Sequence, residues 1–407
     1  MIKIKKLSSG IRLVMEPMDS VRSVSIGIWC NTGSVNEKKN EEGISHYIEH
    51  MLFKGTTNRN TFEIVNEIDR LGGQKNAFTG KETTCFYVKC LDRHFDKSAD
   101  VLTDMIMNPL FDKEEMEREK GVVIEEINMN QDDPDDVALD ALEDAIYRDT
   151  EMAHPVLGNK TTVSSFTEDD LRRYYFDNYT CDSIAVSVAG SFDEDHVTDY
   201  FEHKFGNLKA EKPEHRMMPL SGKNENRTIY KDIEQSHIAM GIPTVNASDD
   251  RRYSLTVLNN IMGGGMSSRL FQNVREKKGL AYSVYSMTGF YADTGVYVIS
   301  AGVAKDRTEE ALDAIKYELE KLENNEITSE ELESSKEQIQ SSYIFSQESV
   351  QSRMITNGRN LLAFDECISQ EEILRKVDAV TMYDMKNVKH LISDIGKYSI
   401  INVTGRK

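Results

Sequence analysis

The sequence predicts an α+β fold with two homologous domains, each an antiparallel-rich sheet with helices packed on one face. The chain has 407 residues, which is enough for two or three domains of ordinary size. Short runs of alternating apolar and polar residues, typical of strands, lie between longer stretches with helical periodicity. Two strand-like segments of the first half recur in the second half, which favours two domains.

The first half begins with three predicted strands joined by short turns, at 2–4, 11–15 and 24–30. Two helices and a strand pair follow, at 43–53, 61–71, 74–79 and 83–91. Gly72 and Gly73 end the second of these helices. The rest of this half is predicted to be a strand at 183–188 and helices at 93–107, 112–131, 134–147, 167–177 and 194–204.

The stretch 208–227 is rich in proline and polar residues and is predicted to link a domain at 1–207 to a domain at 228–407. Beyond it the pattern starts again, since VSIGIWC at 24–30 resembles HIAMGI at 237–242. In the same way CFYVKC at 85–90 resembles VYVISA at 296–301. The offsets of the strand glycines (241 minus 27 is 214) and tyrosines (297 minus 87 is 210) nearly agree, which indicates an internal duplication.

The composition excludes several classes of protein. A net charge of −20 disfavours nucleic acid as a partner and favours cationic ligands such as basic peptides. No apolar run approaches the ~18 residues that a membrane span needs, and the N-terminus lacks the apolar core of a secretory signal. The five cysteines include no CxxC pair, so we expect no disulfide framework and a cytoplasmic location.

The helix predicted at 43–53 carries the clearest chemical motif. Ile44, Tyr47, Ile48, Met51 and Leu52 form one apolar stripe, and His46, Glu49 and His50 fall on a second stripe about 200° away. Two imidazoles at i and i+4 can converge on one metal ion, and H-x-x-E-H is the reverse of the H-E-x-x-H zinc helix. A surface helix that carries these residues by chance is the alternative.

A third ligand for a catalytic zinc should come from another element. The helix at 112–131 carries Glu119 and Glu126, which are seven residues apart and therefore share one face. Taken alone, such a run is more often a solvated acidic face than a metal site.

Four segments together resemble a known family. They are HYIEHMLFKGT at 46–56, GGQKNAFT at 72–79, the run from Glu119 to Glu126, and REKKGLAY at 275–282. They are similar to segments of the pitrilysin-type zinc peptidases, the inverzincins, and most similar to bacterial homologues of the mitochondrial processing peptidase β-subunit. The resemblance implies the LuxS/MPP-like metallohydrolase fold and a zinc metallopeptidase activity.

The resemblance also implies a role for each matching residue. His46, His50 and Glu126 would bind Zn²⁺, Glu49 would be the general base, and Glu119 would be an auxiliary carboxylate. Asn76, Ala77 and Phe78 would lie on an edge strand that holds the peptide. Arg275 would contact the substrate backbone, and Tyr282 would stabilise the oxyanion.

The family also implies an assembly. Its members enclose a chamber with four domains of this size, so a chain with two domains is expected to form a homodimer. Some relatives have lost zinc and act as structural or peptide-binding subunits, which is the alternative function. A small-molecule zinc hydrolase is a second alternative, but it does not account for the duplicated half.

Overall fold

The computed structural model describes residues 1–206, 224–324 and 327–406. Its strands are β1 Lys3–Lys6, β2 Arg12–Pro17, β3 Ser23–Cys30, β4 Gln74–Thr79, β5 Thr84–Leu91, β6 Ile184–Gly190, β7 Asn226–Lys231, β8 Gln235–Thr244, β9 Ala281–Phe290, β10 Gly295–Ala304 and β11 Ser399–Gly405. They form one sheet of six strands and one of five, and helices accompany both sheets. The predicted α+β class is therefore confirmed.

The helices fall in both halves of the chain. They are α1 Ile44–Leu52, α2 Thr61–Arg70, α3 Phe95–Met107, α4 Lys113–Asp132, α5 Pro134–Ile146, α6 Lys160–Ser165, α7 Glu168–Asn178, α8 Glu194–Phe205, α9 Arg251–Gly263, α10 Thr308–Glu323, α11 Ser329–Ser346, α12 Val350–Phe364, α13 Gln370–Asp378 and α14 Met382–Val388. Short 3₁₀ turns and a π-helical segment, Phe271–Lys277, connect some of them. Most boundaries predicted in the first half agree within two residues, and α6 was not predicted.

Two compact units divide the chain. The first contains the described residues of Met1–Asn128, His154–Arg216 and Ile344–Ser369, and the second those of Met129–Ala153, Met217–Tyr343 and Gln370–Lys407. Neither unit is continuous in sequence, unlike the domains predicted at 1–207 and 228–407. Of the predicted linker, residues 208–223 lie outside the described part of the chain, and 226–227 begin β7.

The two sheets share one topology. The first has the order β1-β2-β6-β3-β5-β4 and the second the order β7-β11-β8-β10-β9. In each sheet one parallel pair, β2 with β6 and β7 with β11, is followed by antiparallel neighbours only. The second sheet thus repeats the first without β1, as an internal duplication requires.

Each sheet carries one helix from the other half of the chain. In the first unit α12 packs on β2, β3 and β6, and in the second α5 packs on β8 and β11. Gly27 and Gly241 lie under these helices, because a Cβ at Gly27 would meet Met354 of α12 and one at Gly241 would meet Ile146 and Leu142 of α5. Apolar clusters fill the opposite faces, so each sheet is covered on both faces rather than the one predicted.

The glycines that marked the duplication are equivalent in the sheets, whereas the tyrosines are not. Gly27 pairs with Tyr87, but Gly241 pairs with Val298, the residue after Tyr297. Because side chains alternate along a strand, Tyr87 and Tyr297 point to opposite faces of their sheets. Tyr87 lies in the cluster with Met354, and Tyr297 lies in the main core of the second unit.

All five cysteines are free in the structure, and four of them are buried. Within the described part of the chain, no helix combines the length and apolar character needed to cross a membrane.

Candidate metal centre

The helix α1 is held at its start by a buried carboxylate. Glu37 accepts hydrogen bonds from the backbone N–H groups of Gly43 (2.7 Å) and Ser45 (2.9 Å), which would otherwise be unpaired at a helix N-terminus. Gly43 has a φ of +89°, a conformation that favours glycine. At the other end of the turn, the Tyr47 hydroxyl donates to the carbonyl of Met116 in α4 at 2.6 Å. These bonds fix α1 against the helix that faces it.

Three potential ligand atoms converge between α1 and α4. His46 Nε2 lies 3.6 Å from Glu126 Oε2, and His50 Nε2 lies 3.4 Å from the same oxygen. Nitrogen and oxygen ligands about 2.0–2.1 Å from a tetrahedral zinc ion would be about 3.3 Å apart. The three residues form the one group of three or more candidate ligands among the described residues. Two imidazoles and one carboxylate at these separations fit a zinc ion.

The protonation state of His46 also suits metal binding. Burial, together with the charge of His50, lowers the pKa of His46 to about 3, so His46 is neutral near pH 7. A neutral imidazole is the form that coordinates a metal. His46 Nδ1 is buried and has no hydrogen-bond partner among the described residues.

Glu119 lies behind the cluster and contacts His50. Its Oε1 is 2.8 Å from His50 Nδ1, and its Oε2 is 2.5 Å from Lys54 Nζ. Burial lowers the pKa of His50, but the hydrogen bond and charge of Glu119, together with the charges of Glu126 and Glu49, raise it overall. Glu119 therefore orients the ring so that Nε2 faces Glu126.

Glu49 lies beside the three candidate ligands without belonging to their group. Its Oε2 accepts a hydrogen bond from the hydroxyl of Thr79 at 2.5 Å. Burial raises the pKa of Glu49, and the Thr79 bond acts against that shift. A carboxylate with a raised pKa is a stronger base, which suits the expected role.

Asn76, Ala77 and Phe78 lie on β4, the last strand of the first sheet. The Gly80 N–H donates to the carbonyl of Thr83, and alternation along the antiparallel pair then turns the backbone groups of Ala77 outward. The Ala77 N–H donates instead to Asn76 Oδ1 at 2.9 Å. In the described residues this outer edge has no partner strand. It is a surface on which a peptide can add as a strand.

Phe78 differs from its neighbours because its ring lies on the opposite face of the sheet from Ala77. It packs edge-on against Trp29, with ring centroids 5.5 Å apart, and also contacts Tyr87. Its side chain is thus part of the cluster beneath α12. The same alternation turns its backbone groups toward β5, so the outward-facing groups beside Phe78 are those of Ala77 and Thr79.

Arg275 and Tyr282 belong to the second unit and contact each other there. The Arg275 guanidinium lies 4.6 Å from the ring centroid of Phe271 and 5.8 Å from that of Tyr282. Tyr282 is 77% exposed, so its hydroxyl is open to a ligand. Arg275 and Tyr282 are therefore neighbours in the structure.

Three residues that contact the site received no role from the sequence. Lys54 and Thr79 stand inside the matching segments but carry no spacing signal of their own. Glu37 lies in a charged run that looks like a solvated turn, although it is 1% exposed.

The sequence is similar to known proteins along most of its length. Residues 12–160 match the family described as insulinase (peptidase family M16), and residues 165–339 match the one described as peptidase M16 inactive domain. The Bacillus subtilis protein named uncharacterized zinc protease YmxG is 43% identical over 94% of this chain and 93% of its own length. An uncharacterized zinc protease of Streptomyces coelicolor is 36% identical over 98% of this chain and 88% of its own length.

A solved structure shares the fold. The crystal structure of a protease from Helicobacter pylori superposes with a TM-score of 0.92 over 99% of both chains, at 21% identity.

Proposed function

The chain belongs to peptidase family M16, and from this premise we propose that it is a zinc-dependent endopeptidase. His46, His50 and Glu126 would hold the zinc ion. The observation that carries the proposal is the approach of both imidazoles to one oxygen of Glu126, at 3.6 and 3.4 Å. The matches to relatives named zinc protease support the choice of metal.

When bound, zinc supplies Lewis acidity toward water and the peptide carbonyl. Glu49 takes the proton from the attacking water and later gives it to the leaving amine nitrogen. Glu119 holds His50 in one orientation, and Lys54 offsets the charge of Glu119 inside the buried site. Glu49 and His50 are thus each held by a hydrogen bond, to Thr79 and to Glu119 respectively.

The substrate in this proposal is a peptide or an unfolded segment. The open edge of β4 would bind it through backbone hydrogen bonds, with Ala77 at the centre and Asn76 displaced from the Ala77 N–H. Arg275 and Tyr282 would contact the substrate backbone near the bond that is cleaved. The net charge of −20 supports a preference for basic peptides.

We propose a homodimer that closes a chamber, related to the processing-peptidase branch of the family, in the cytoplasm. The five free cysteines support a reducing compartment.

The test is digestion of a peptide library by the purified protein, read by mass spectrometry with and without a chelator. We expect cleavage that the chelator abolishes and that added zinc restores, with Glu49→Gln protein as the inactive control. Protein that contains no zinc and cleaves no peptide would instead favour the alternative, a structural or peptide-binding member of the family.

A further inference from the structure

A hydroxyl on the strand proposed to bind substrate contacts the carboxylate proposed to act as base. Thr79 is the last residue of β4, and its Oγ1 donates to Glu49 Oε2 at 2.5 Å. Both side chains are half-buried. The Thr79 side chain points to the same face of the sheet as Ala77, because residues two apart share a face. That face packs against α1, which carries Glu49.

The bond limits how the carboxylate can turn. The last torsion of a glutamate side chain is broad, so a free carboxylate rotates easily. A hydrogen bond to Oε2 restricts this rotation and leaves Oε1 available for proton transfer. An ionised carboxylate can only accept, so Thr79 must be the donor. The hydroxyl of Thr84 supports the arrangement, since it lies 3.4 Å from Thr79 Oγ1 and donates to the carbonyl of Thr32 at 3.0 Å.

The same strand provides the open edge. Thr79 follows Ala77 by two residues, so the backbone groups of both face outward from β5. A peptide that adds to this edge would run beside Thr79 and would fix the end of β4. The position of the hydroxyl, and with it that of the Glu49 carboxylate, would then depend on whether a peptide occupies the edge of β4.

We propose that Thr79 is a positioning residue that couples the peptide-binding edge of β4 to the orientation of Glu49. The inference rests on the proposed peptidase function and adds a residue to it. Thr79 is not one of the candidate metal ligands, and its hydroxyl donates to Glu49, so it would act through Glu49. Its removal should therefore slow turnover without removing the metal.

The test compares Thr79→Val with Thr79→Ser in the full-length zinc-loaded protein. Valine keeps the branched shape and removes the donor, whereas serine keeps the donor. We expect Thr79→Val to lower kcat about 10- to 100-fold, the range that small misplacements of catalytic groups produce. KM and zinc content should stay unchanged, and Thr79→Ser should keep kcat within about threefold. Thr83→Val, in the turn between β4 and β5, is the matched control.

Two results would overturn the inference while the peptidase function stands: a Thr79→Val enzyme with wild-type kcat, or a serine variant as slow as the valine variant. A fall in activity that parallels a loss of zinc would also refute it. If Thr79→Val does not fold, Thr79→Ala removes the same donor and replaces it in each comparison. If the wild-type protein cleaves nothing, or Glu49→Gln is as active as wild type, the proposed function itself fails and this inference with it.

Discussion

His50 Nδ1 and Glu119 Oε1 lie 2.8 Å apart, and this contact decides which nitrogen of the ring is free for a metal. Glu119 is 4% exposed, and a carboxylate that deep in the protein needs partners to stay ionised. Its two partners are His50 and Lys54. The contact therefore joins the stability of the buried acid to the geometry of the candidate metal centre.

Replacing Glu119 by glutamine should weaken zinc binding about 10- to 100-fold, because the ring of His50 loses the carboxylate that orients it. The measurement is a zinc competition titration with a fluorescent chelator. Glu117→Gln is the control, since Glu117 lies on the same helix with an exposed ion pair to Lys120. Equal zinc affinity in the Glu119 variant and the wild type would contradict the role given to this contact.

The two adjacent acids of α4 should behave differently. Glu126→Gln should lose zinc at concentrations that saturate the wild type, because it removes one of three ligands. Glu125→Gln should bind zinc normally, since Glu125 is exposed and contacts Asn128 on its own helix. Residues one apart on a helix differ by about 100° in direction. Metal analysis of both purified variants shows which of the two carboxylates binds the metal. Equal loss of zinc in the two variants would refute the assignment of Glu126.

Glu49→Gln should keep its zinc and lose at least about 10²-fold in turnover, because glutamine cannot accept the proton. Thr79 can still donate to the amide oxygen, so the local structure should survive. The readouts are zinc stoichiometry and cleavage of one peptide from the library. A variant with nearly normal peptidase activity would exclude Glu49 as the base.

Peptides with Arg or Lys near the cleaved bond should be hydrolysed faster than acidic ones. The acidic balance of the chain attracts cationic ligands, and salt screens this attraction over a Debye length of about 10 Å at 0.1 M. The preference should therefore shrink as salt is added. Library cleavage sites without enrichment in basic residues at low ionic strength would count against the prediction.

The proposed dimer predicts that the two subunits share their active sites. If Arg275 and Tyr282 of one subunit serve the metal centre of the other, mixing inactive Glu49→Gln with inactive Tyr282→Phe protein should restore activity. Random pairing gives about a quarter of wild-type activity, since half of the dimers carry one intact site out of two. Mixing Glu49→Gln with the double variant should restore none. If subunits exchange and activity does not return, the pair acts within one chain or is dispensable.

The two histidines of the candidate ligand cluster could be predicted to lie close together because helix geometry alone brings i and i+4 together. His46 and His50 follow from their spacing, and the register of Glu126 follows from the family resemblance. Lys54 and Thr79 could not be assigned in this way. A threonine at the end of a strand fits strand propensity whether or not it contacts a carboxylate, and only the packing of β4 near α1 reveals the bond.

The sequence also could not predict the exchange of α5 and α12, in which each helix packs on the sheet formed by the other half of the chain. Periodicity reveals that a helix has an apolar face, but not which sheet that face covers. The two tyrosines of the repeat illustrate a related limit. A shift of one residue in a strand leaves the sequence match almost intact, yet it reverses the direction of every side chain.

The order of synthesis gives the exchanged helices a further consequence. The strands of the first sheet are complete at Gly190, but α12, which covers Gly27 and Trp29, ends at Phe364. A ribosome needs roughly 10–35 s to add those 174 residues (364 minus 190). During that time the nascent chain displays an uncovered apolar sheet face, a natural target for chaperones. A nonsense mutation before residue 350 would leave this face bare permanently, so truncated products should aggregate rather than persist as folded first units.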